Sequence, residues 1–231
     1  MTDIDIRRQL EIIKPWEHKY QITIIGAGAT GSRIFMELLT LGFTNIHVYD
    51  FDHVEAHNLA NQAYLAQHVG ELKVDALASL AELKTGAKNP PDMVFKPLRI
   101  PHAEASIKGY VFLLTDTMAS RKEIYEACLK DNPEVFGVIE TRMASTHGNV
   151  FSFDPNHPIR AANWVNTLSD DSDAGLELSP CGTPISVGVT ACGIATYAVW
   201  QLIHLLTSED LSVEKTELFF KPFLTCTQEK L

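Results

Sequence analysis

Residues 21–52 read QITIIGAGATGSRIFMELLTLGFTNIHVYDFD, and the reading of this stretch decides the fold. Ile22, Ile24 and Ile25 make a short apolar, β-branched run of the kind that forms a buried parallel strand, and the run stops at Gly26. Gly26, Gly28 and Gly31 then have the GxGxxG spacing. The first glycine permits a tight turn, the second lets backbone N–H groups approach a phosphate, and the third lets the next helix pack closely on the strand. The positive end of that helix faces the anion. Ile34, Phe35, Leu38, Leu39 and Leu41 supply the inward helix face, Gly42 stops it, and Ile46, His47, Val48 and Tyr49 build a second strand ending at Asp50. Asp50 lies 19 residues beyond Gly31 (50 minus 31), where an acid holds a ribose hydroxyl. The stretch reads as a βαβ nucleotide site.

Outward from it, residues 3–14 alternate charged and apolar side chains and predict an N-terminal amphipathic helix within residues 1–16, with Ile4, Ile6, Leu10 and Ile13 inward. Residues 53–73, HVEAHNLANQAYLAQHVGELK, suit a functional loop. Val74, Leu77, Leu80 and Leu83 mark a helix closed by Gly86, and Met93, Val94, Phe95 and Leu98 a strand. Residues 110–114, YVFLL, predict a central strand ending at Thr115 and Asp116, and ligands of open α/β sheets bind outside such strand ends. A helix over 120–130, strands over 135–140 and 150–153, a buried helix over 185–206 and a last strand around 218–223 complete the pattern. The acidic, polar segment 168–184 predicts a mobile crossover loop. Together these imply one α/β domain over 1–231: a Rossmann-like, doubly wound, mostly parallel sheet with antiparallel strands towards the C-terminus.

A net charge of −10 over 231 residues argues against a general nucleic-acid or anionic-membrane surface. Phosphate binding must be local. The four cysteines, Cys128, Cys181, Cys192 and Cys226, include no CxxC pair, so neither a disulfide framework nor structural zinc is expected. A reducing cytoplasm fits. The N-terminus lacks a signal-peptide core, and the apolar stretch 185–206 is interrupted by Thr190, Thr196, Gln201 and His204. Of nine histidines, His102, His147, His157 and His204 sit in unrelated contexts and read as surface or packing residues. No hydride-transfer signature accompanies the glycine loop, although that loop and Asp50 would serve a nicotinamide dinucleotide.

The order of motifs discriminates further. GAGATGS at 26–32 is followed by VYDFDHVEAHNLANQ at 48–62, HVGELK at 68–73, LLTDTMASR at 113–121, ETRMASTHGNVFSF at 140–153 and PCGTPISVGV at 180–189. This order resembles the ThiF/MoeB-type adenylyltransferase family, which shares its nucleotide-binding fold with ubiquitin-activating enzymes; the most specific portion runs from Asp50 to Lys73. The resemblance implies that ATP and magnesium activate the C-terminal glycine carboxylate of a small ubiquitin-like or sulfur-carrier protein, within a homodimer. It assigns Gly26, Gly28 and Gly31 to the phosphates, Asp50 to the ribose, and Asp52, Asn58, Asn61 and Gln62 to the nucleotide-binding run. Lys73 matches the phosphate-binding lysine and Asp116 the magnesium-binding aspartate. Arg8, in Arg7-Arg8-Gln9, matches an arginine that reaches the partner subunit's ATP, and Cys181 a reactive cysteine of the crossover loop. Asn61 stands where the family's NLxRQ motif has arginine, and the run to Lys73 is one residue shorter. A non-catalytic binding or heterodimer subunit and a dinucleotide-dependent oxidoreductase are the alternatives.

Overall fold

A computed structural model describes residues 4–88, 92–169, 185–208, 214–222 and 224–230. Its eight strands form one sheet in the order β3-β2-β1-β4-β5-β6-β7-β8. Strands β1 (Ile22–Ile25), β2 (Ile46–Tyr49), β3 (Val94–Lys96), β4 (Gly109–Leu113) and β5 (Val135–Met143) pair in parallel. Strands β6 (His147–Phe153), β7 (Lys215–Phe219) and β8 (Thr225–Glu229) are antiparallel. The chain order reverses between β1 and β4, which opens a crevice at their carboxyl ends.

The sheet is covered on both faces. On one side α1 (Ala29–Leu41), α2 (Lys73–Thr85) and α5 (Gly188–Thr207) bury Ile34, Phe35, Leu38, Leu77, Ala195 and Leu202 against Ile24 and Phe112. On the other, α3 (Met118–Ile124) and α4 (Pro158–Asn166) carry Ile124 and Trp164 onto Val111, Leu113 and Phe153. Helix α5 is long and apolar enough to cross a bilayer by length and composition, yet Ala191, Ile194, Ala195 and Ala198 are buried inside the fold.

Several boundaries differ from those expected. The N-terminal segment is not a helix but a 3-10 turn at Arg7–Gln9 and a second at Pro15–Glu17. A single uncapped turn before Pro15 cannot recover the cost of helix nucleation, so tertiary anchors replace it. Ile13 enters the core, and the Gln9 side-chain amide donates to the Thr40 carbonyl at 2.8 Å. Helix α3 begins two residues earlier than residue 120, because the Thr117 hydroxyl accepts from the Ser120 N–H (3.1 Å), and it widens into a π-helical turn at Tyr125–Leu129. The last strand is two strands, β7 and β8, of which the wholly exposed β8 shows no apolar alternation. Helix α4 was not expected at all; its Asn- and Pro-containing sequence buries only Ala161 and Trp164. Residues 170–184, with Cys181 and most of the crossover segment, lie outside the described residues.

Candidate functional site

The glycine loop is built by close backbone approach. A Cβ on Gly31 would lie 2.0 Å from the Gly26 carbonyl oxygen, and Gly26 has φ +99° in a place where a Cβ would lie 2.8 Å from the Leu114 carbonyl oxygen. A Cβ on Gly28 would meet nothing within 4 Å. Gly28 is also the N-cap of α1, whose first turn has no side-chain cap and no acidic residue. A helix start left open in this way presents backbone donors to an incoming anion.

Next to the loop, Asp50 is buried, with the Ala27 N–H donating to one carboxylate oxygen (2.6 Å) and the Asp52 N–H to the other (2.8 Å). Burial pushes the Asp50 carboxyl above its ordinary pKa, against the opposing pull of Lys73 and the two amides. Lys73 begins α2; its N–H donates to the Asp52 carbonyl (2.9 Å) and its ammonium to the Asp52 carboxylate (2.8 Å). The Lys73 side chain is 9% exposed and that of Asp52 46%, so the lysine is the fixed member of the pair.

These groups line one cleft of about 270 Å³ at the carboxyl ends of β1, β2 and β4, with Gly26, Gly28, Asp50, Asp52, Lys73 and Asp116 in its wall. Asp116 is exposed, flanked by Thr115, Thr117 and Ser120. Leu98, Ile100 and Ile124 give an apolar side, and Arg99, paired with Glu123 at 3.7 Å, joins the lining. A larger groove, about 940 Å³, lies at the opposite end of the sheet by Trp16, Tyr20 and His47 and has no glycine loop.

The remaining expected residues are placed around the cleft or away from it. Segment 53–72 is a loop of two 3-10 turns, Ala56–Ala60 and Ala66–His68, closed by Val54 N–H to the Glu71 carbonyl and Gly70 N–H to the Val54 carbonyl. Asn58 is buried within it, its side-chain oxygen accepting from the Glu55 N–H (2.9 Å), a structural bond outside the cleft wall. Asn61 and Gln62 also lie outside that wall, and their side-chain oxygens are buried without a hydrogen-bond partner. Arg8 is exposed on its 3-10 turn and lines no part of its own chain's cleft. His147 stacks on Phe219, while the rings of His102 and His157 accept from backbone amides of Glu104 and Arg160.

Five contacts escape a reading of the sequence. The Tyr64 hydroxyl donates to the Ala27 carbonyl (2.7 Å), and the Ala63 N–H to the Ser32 hydroxyl (3.0 Å), so loop 53–72 is fastened to the glycine loop. Arg33 donates to the Asn61 carbonyl (3.2 Å) and to the Cys192 sulfur (2.8 Å). Arg121, inside the LLTDTMASR motif, runs inward to Glu140. The motif gave the arginine's position, but nothing local gave its partner.

Residues 14–228 match the ThiF family. Among curated proteins, the Nedd8-activating enzyme E1 catalytic subunit of Drosophila melanogaster is 38% identical over 61 residues, 26% of this chain and 14% of that protein. Similar solved structures include E. coli MccB with AMPCPP and MccA (TM-score 0.67, 14% identity) and microcin C7 biosynthetic enzyme MccB with N-formylated MccA (0.71, 14%). PaaA is a further one, with a TM-score of 0.64 and 16% identity. Each structure is matched over 92% of this chain and 64% of its own, so the chain spans less than two thirds of the length of these relatives.

Proposed function

The chain belongs to the ThiF family, and from that premise we propose that it is an ATP- and magnesium-dependent adenylyltransferase that activates the C-terminal carboxylate of a small ubiquitin-like or sulfur-carrier protein or a peptide. The observation that carries this reading is the convergence of the open glycine loop, Asp50, Lys73 and Asp116 on one cleft. Similarity to MccB, solved with AMPCPP and MccA, and to a Nedd8-activating subunit supports it.

The charge inventory agrees. Asp50, Asp52 and Asp116 face Lys73 and Arg99 in the lining, so the cleft's own side chains have no surplus of positive charge with which to receive a triphosphate. Magnesium would supply the missing charge and draw off electron density from the phosphates; it binds through one or two carboxylates while keeping water and phosphate oxygens, so Asp116 with its neighbouring hydroxyls fits. The acceptor carboxylate attacks the α-phosphorus, a new carboxylate–phosphorus bond forms, and the bond to the bridging oxygen breaks to release pyrophosphate. The nucleophile is already ionised at neutral pH, so no general base is needed. The chain's own work is to orient the ribose through Asp50, hold the α-phosphate on the N–H groups of the glycine loop, and meet the leaving charge with Lys73.

Acceptor-dependent ATP–pyrophosphate exchange tests the reading, with glycine-terminated small proteins and peptides offered in turn. Asp116→Ala is expected to lower exchange about 100-fold or more while leaving the melting temperature unchanged, since the side chain is exposed. Wild-type exchange in that variant removes Asp116 from the site. A thermal shift with NAD but none with ATP and magnesium selects the oxidoreductase.

A further inference from the structure

Glu140, on β5, is completely buried and is shared by two cations. The Arg142 Nε–H donates to both of its oxygens (3.1 and 2.9 Å), and the Trp164 indole N–H donates to Oε2 (3.2 Å). Arg121 Nε lies 2.9 Å from Oε1, but its N–H does not point at that oxygen and has no hydrogen-bond partner. Short distance and poor alignment coexist here. The contact is an ion pair, and the donor is an orphan on a side chain 6% exposed. Such a donor is costly to leave unpaired, and a small rotation of Arg121 onto Oε1 would satisfy it, against the present bonds of the guanidinium to the Thr141 carbonyl and the Met118 sulfur.

The two arginines lead in different directions. Arg121 follows Ser120 on α3, the helix that starts just beyond Asp116, and Thr117 and Ser120 line the cleft. Its Nη2 donates to the Thr141 carbonyl (3.2 Å), and the Thr141 hydroxyl meets that of Thr30 in the glycine loop (3.2 Å). Arg142 lies over the Phe151 ring at 4.2 Å and grips Thr167, donating to its carbonyl and its hydroxyl at 2.8 Å each. Thr167 is the C-cap of α4, from which the chain leaves towards the crossover segment. One buried carboxylate thus touches the nucleotide side through Arg121 and the C-terminal end of α4 through Arg142.

We propose that Glu140 is a positioning residue coupling the two: filling the cleft settles α3 and the glycine loop, turns the Arg121 Nε–H onto Glu140, and re-sets Trp164 and the Arg142–Thr167 clamp. The inference rests on the ATP reading above. Thr30 and α3 are both part of the cleft's frame, and both reach the carboxylate through the same guanidinium. Coupling needs an element with two arrangements that both sites bias, and the misaligned pair is that element.

Trp164 is a built-in reporter. It is fully buried, bonded to Glu140 and stacked on Phe153 at 4.7 Å, whereas Trp16 and Trp200 are 55% and 52% exposed and can be replaced by phenylalanine. In that single-tryptophan protein, titration with ATP and magnesium without acceptor is expected to change Trp164 emission with the midpoint found by calorimetry. Arg121→Lys keeps the charge but lacks the Nε–H; its binding heat should persist with affinity within about threefold, while the emission change falls about fivefold or more. An undiminished emission change in Arg121→Lys, or binding heat in the parent with no Trp164 response, overturns the coupling and leaves the ATP reading standing. Absence of any ATP binding heat in the parent overturns both. Should Arg121→Lys not fold, Glu140→Gln, which retains the outline of the side chain and one acceptor oxygen, is read by the same outcomes.

Discussion

Glycines 28 and 31 sit three residues apart in one loop, yet a methyl group added at each meets opposite fates. At Gly31 it would collide with the Gly26 carbonyl at 2.0 Å, and backbone cannot swing aside as a side-chain tip can. Gly31→Ala is therefore expected to cost about 3 kcal/mol or more in a denaturation experiment. At Gly28 the methyl enters open space inside the cleft, and φ is −77°, outside the left-handed region that would demand glycine. Gly28→Ala should cost about 1 kcal/mol or less in stability, yet weaken ATP binding about tenfold or more if the proposed phosphate site is here, because the methyl would stand in the cleft where the glycine loop is proposed to receive the phosphates. Equal losses of stability in the two variants would contradict this division. Asp50 makes a prediction of a different kind. Its folded pKa is raised, chiefly by burial, so its contribution to stability is fully present below the unfolded value of 3.8 and is lost as pH rises through the folded value. The melting temperature of the wild type relative to Asp50→Asn should rise as pH is lowered from neutrality. A difference that is flat or moves the other way would show that Lys73 and the amides outweigh burial.

At the scale of elements, the glycine loop depends on a neighbour that looks irregular in sequence. Loop 53–72 reaches it through the buried Tyr64 hydroxyl, so Tyr64→Phe should destabilise the protein by about 1–2 kcal/mol by orphaning the Ala27 carbonyl. It should also reduce ATP affinity, since the Ala27 N–H is the donor that orients Asp50. Calorimetric affinity equal to wild type would break that link. What was legible beforehand follows the same division between local and tertiary causes. Strands β1, β2 and β4 announce themselves because a parallel strand buried on both faces must be a continuous apolar run, and α1 and α2 end where Gly42 and Gly86 take positive φ. Their frame brings Gly26, Gly28, Asp50, Lys73 and Asp116 to one cleft. Helix α4 and strand β8 were not legible, since one buries two side chains and the other none of its residues. The N-terminal residues show helical spacing but form 3-10 turns, because Ile6 and Ile13 answer to α1 and the core and not to one another. Glu140 was equally hidden: a glutamate in a strand says nothing of two arginines 19 positions before it and two after it.

At the scale of the whole molecule, the question is whether one chain completes the cleft. Of the described residues lining it, Lys73 and Arg99 are the cations, and each is engaged, by Asp52 at 2.8 Å and Glu123 at 3.7 Å. Position 61 carries asparagine, so the family's phosphate-binding arginine is missing there. Arg8 is exposed and lies outside its own chain's cleft, and so can serve a nucleotide only in a second copy. In an isologous dimer each chain would send Arg8 to its partner, giving two composite sites. Arg8→Ala and Lys73→Ala should then each abolish pyrophosphate exchange at both sites of its own homodimer, the one by removing the partner's contribution and the other the site's own lysine. In a mixed dimer, one site combines Lys73 of the first variant with Arg8 of the second and is intact, while the other lacks both. Random re-assortment makes half the dimers mixed, each with one working site of two, so exchange should recover to about a quarter of wild type. Recovery must also track the mixed-dimer fraction measured by native mass spectrometry. Verified mixed dimers without recovery would return Arg8 to the solvent-facing surface where its own chain leaves it. A chain that stays monomeric while exchanging at full rate would show that Lys73 and the metal alone suffice for the leaving group.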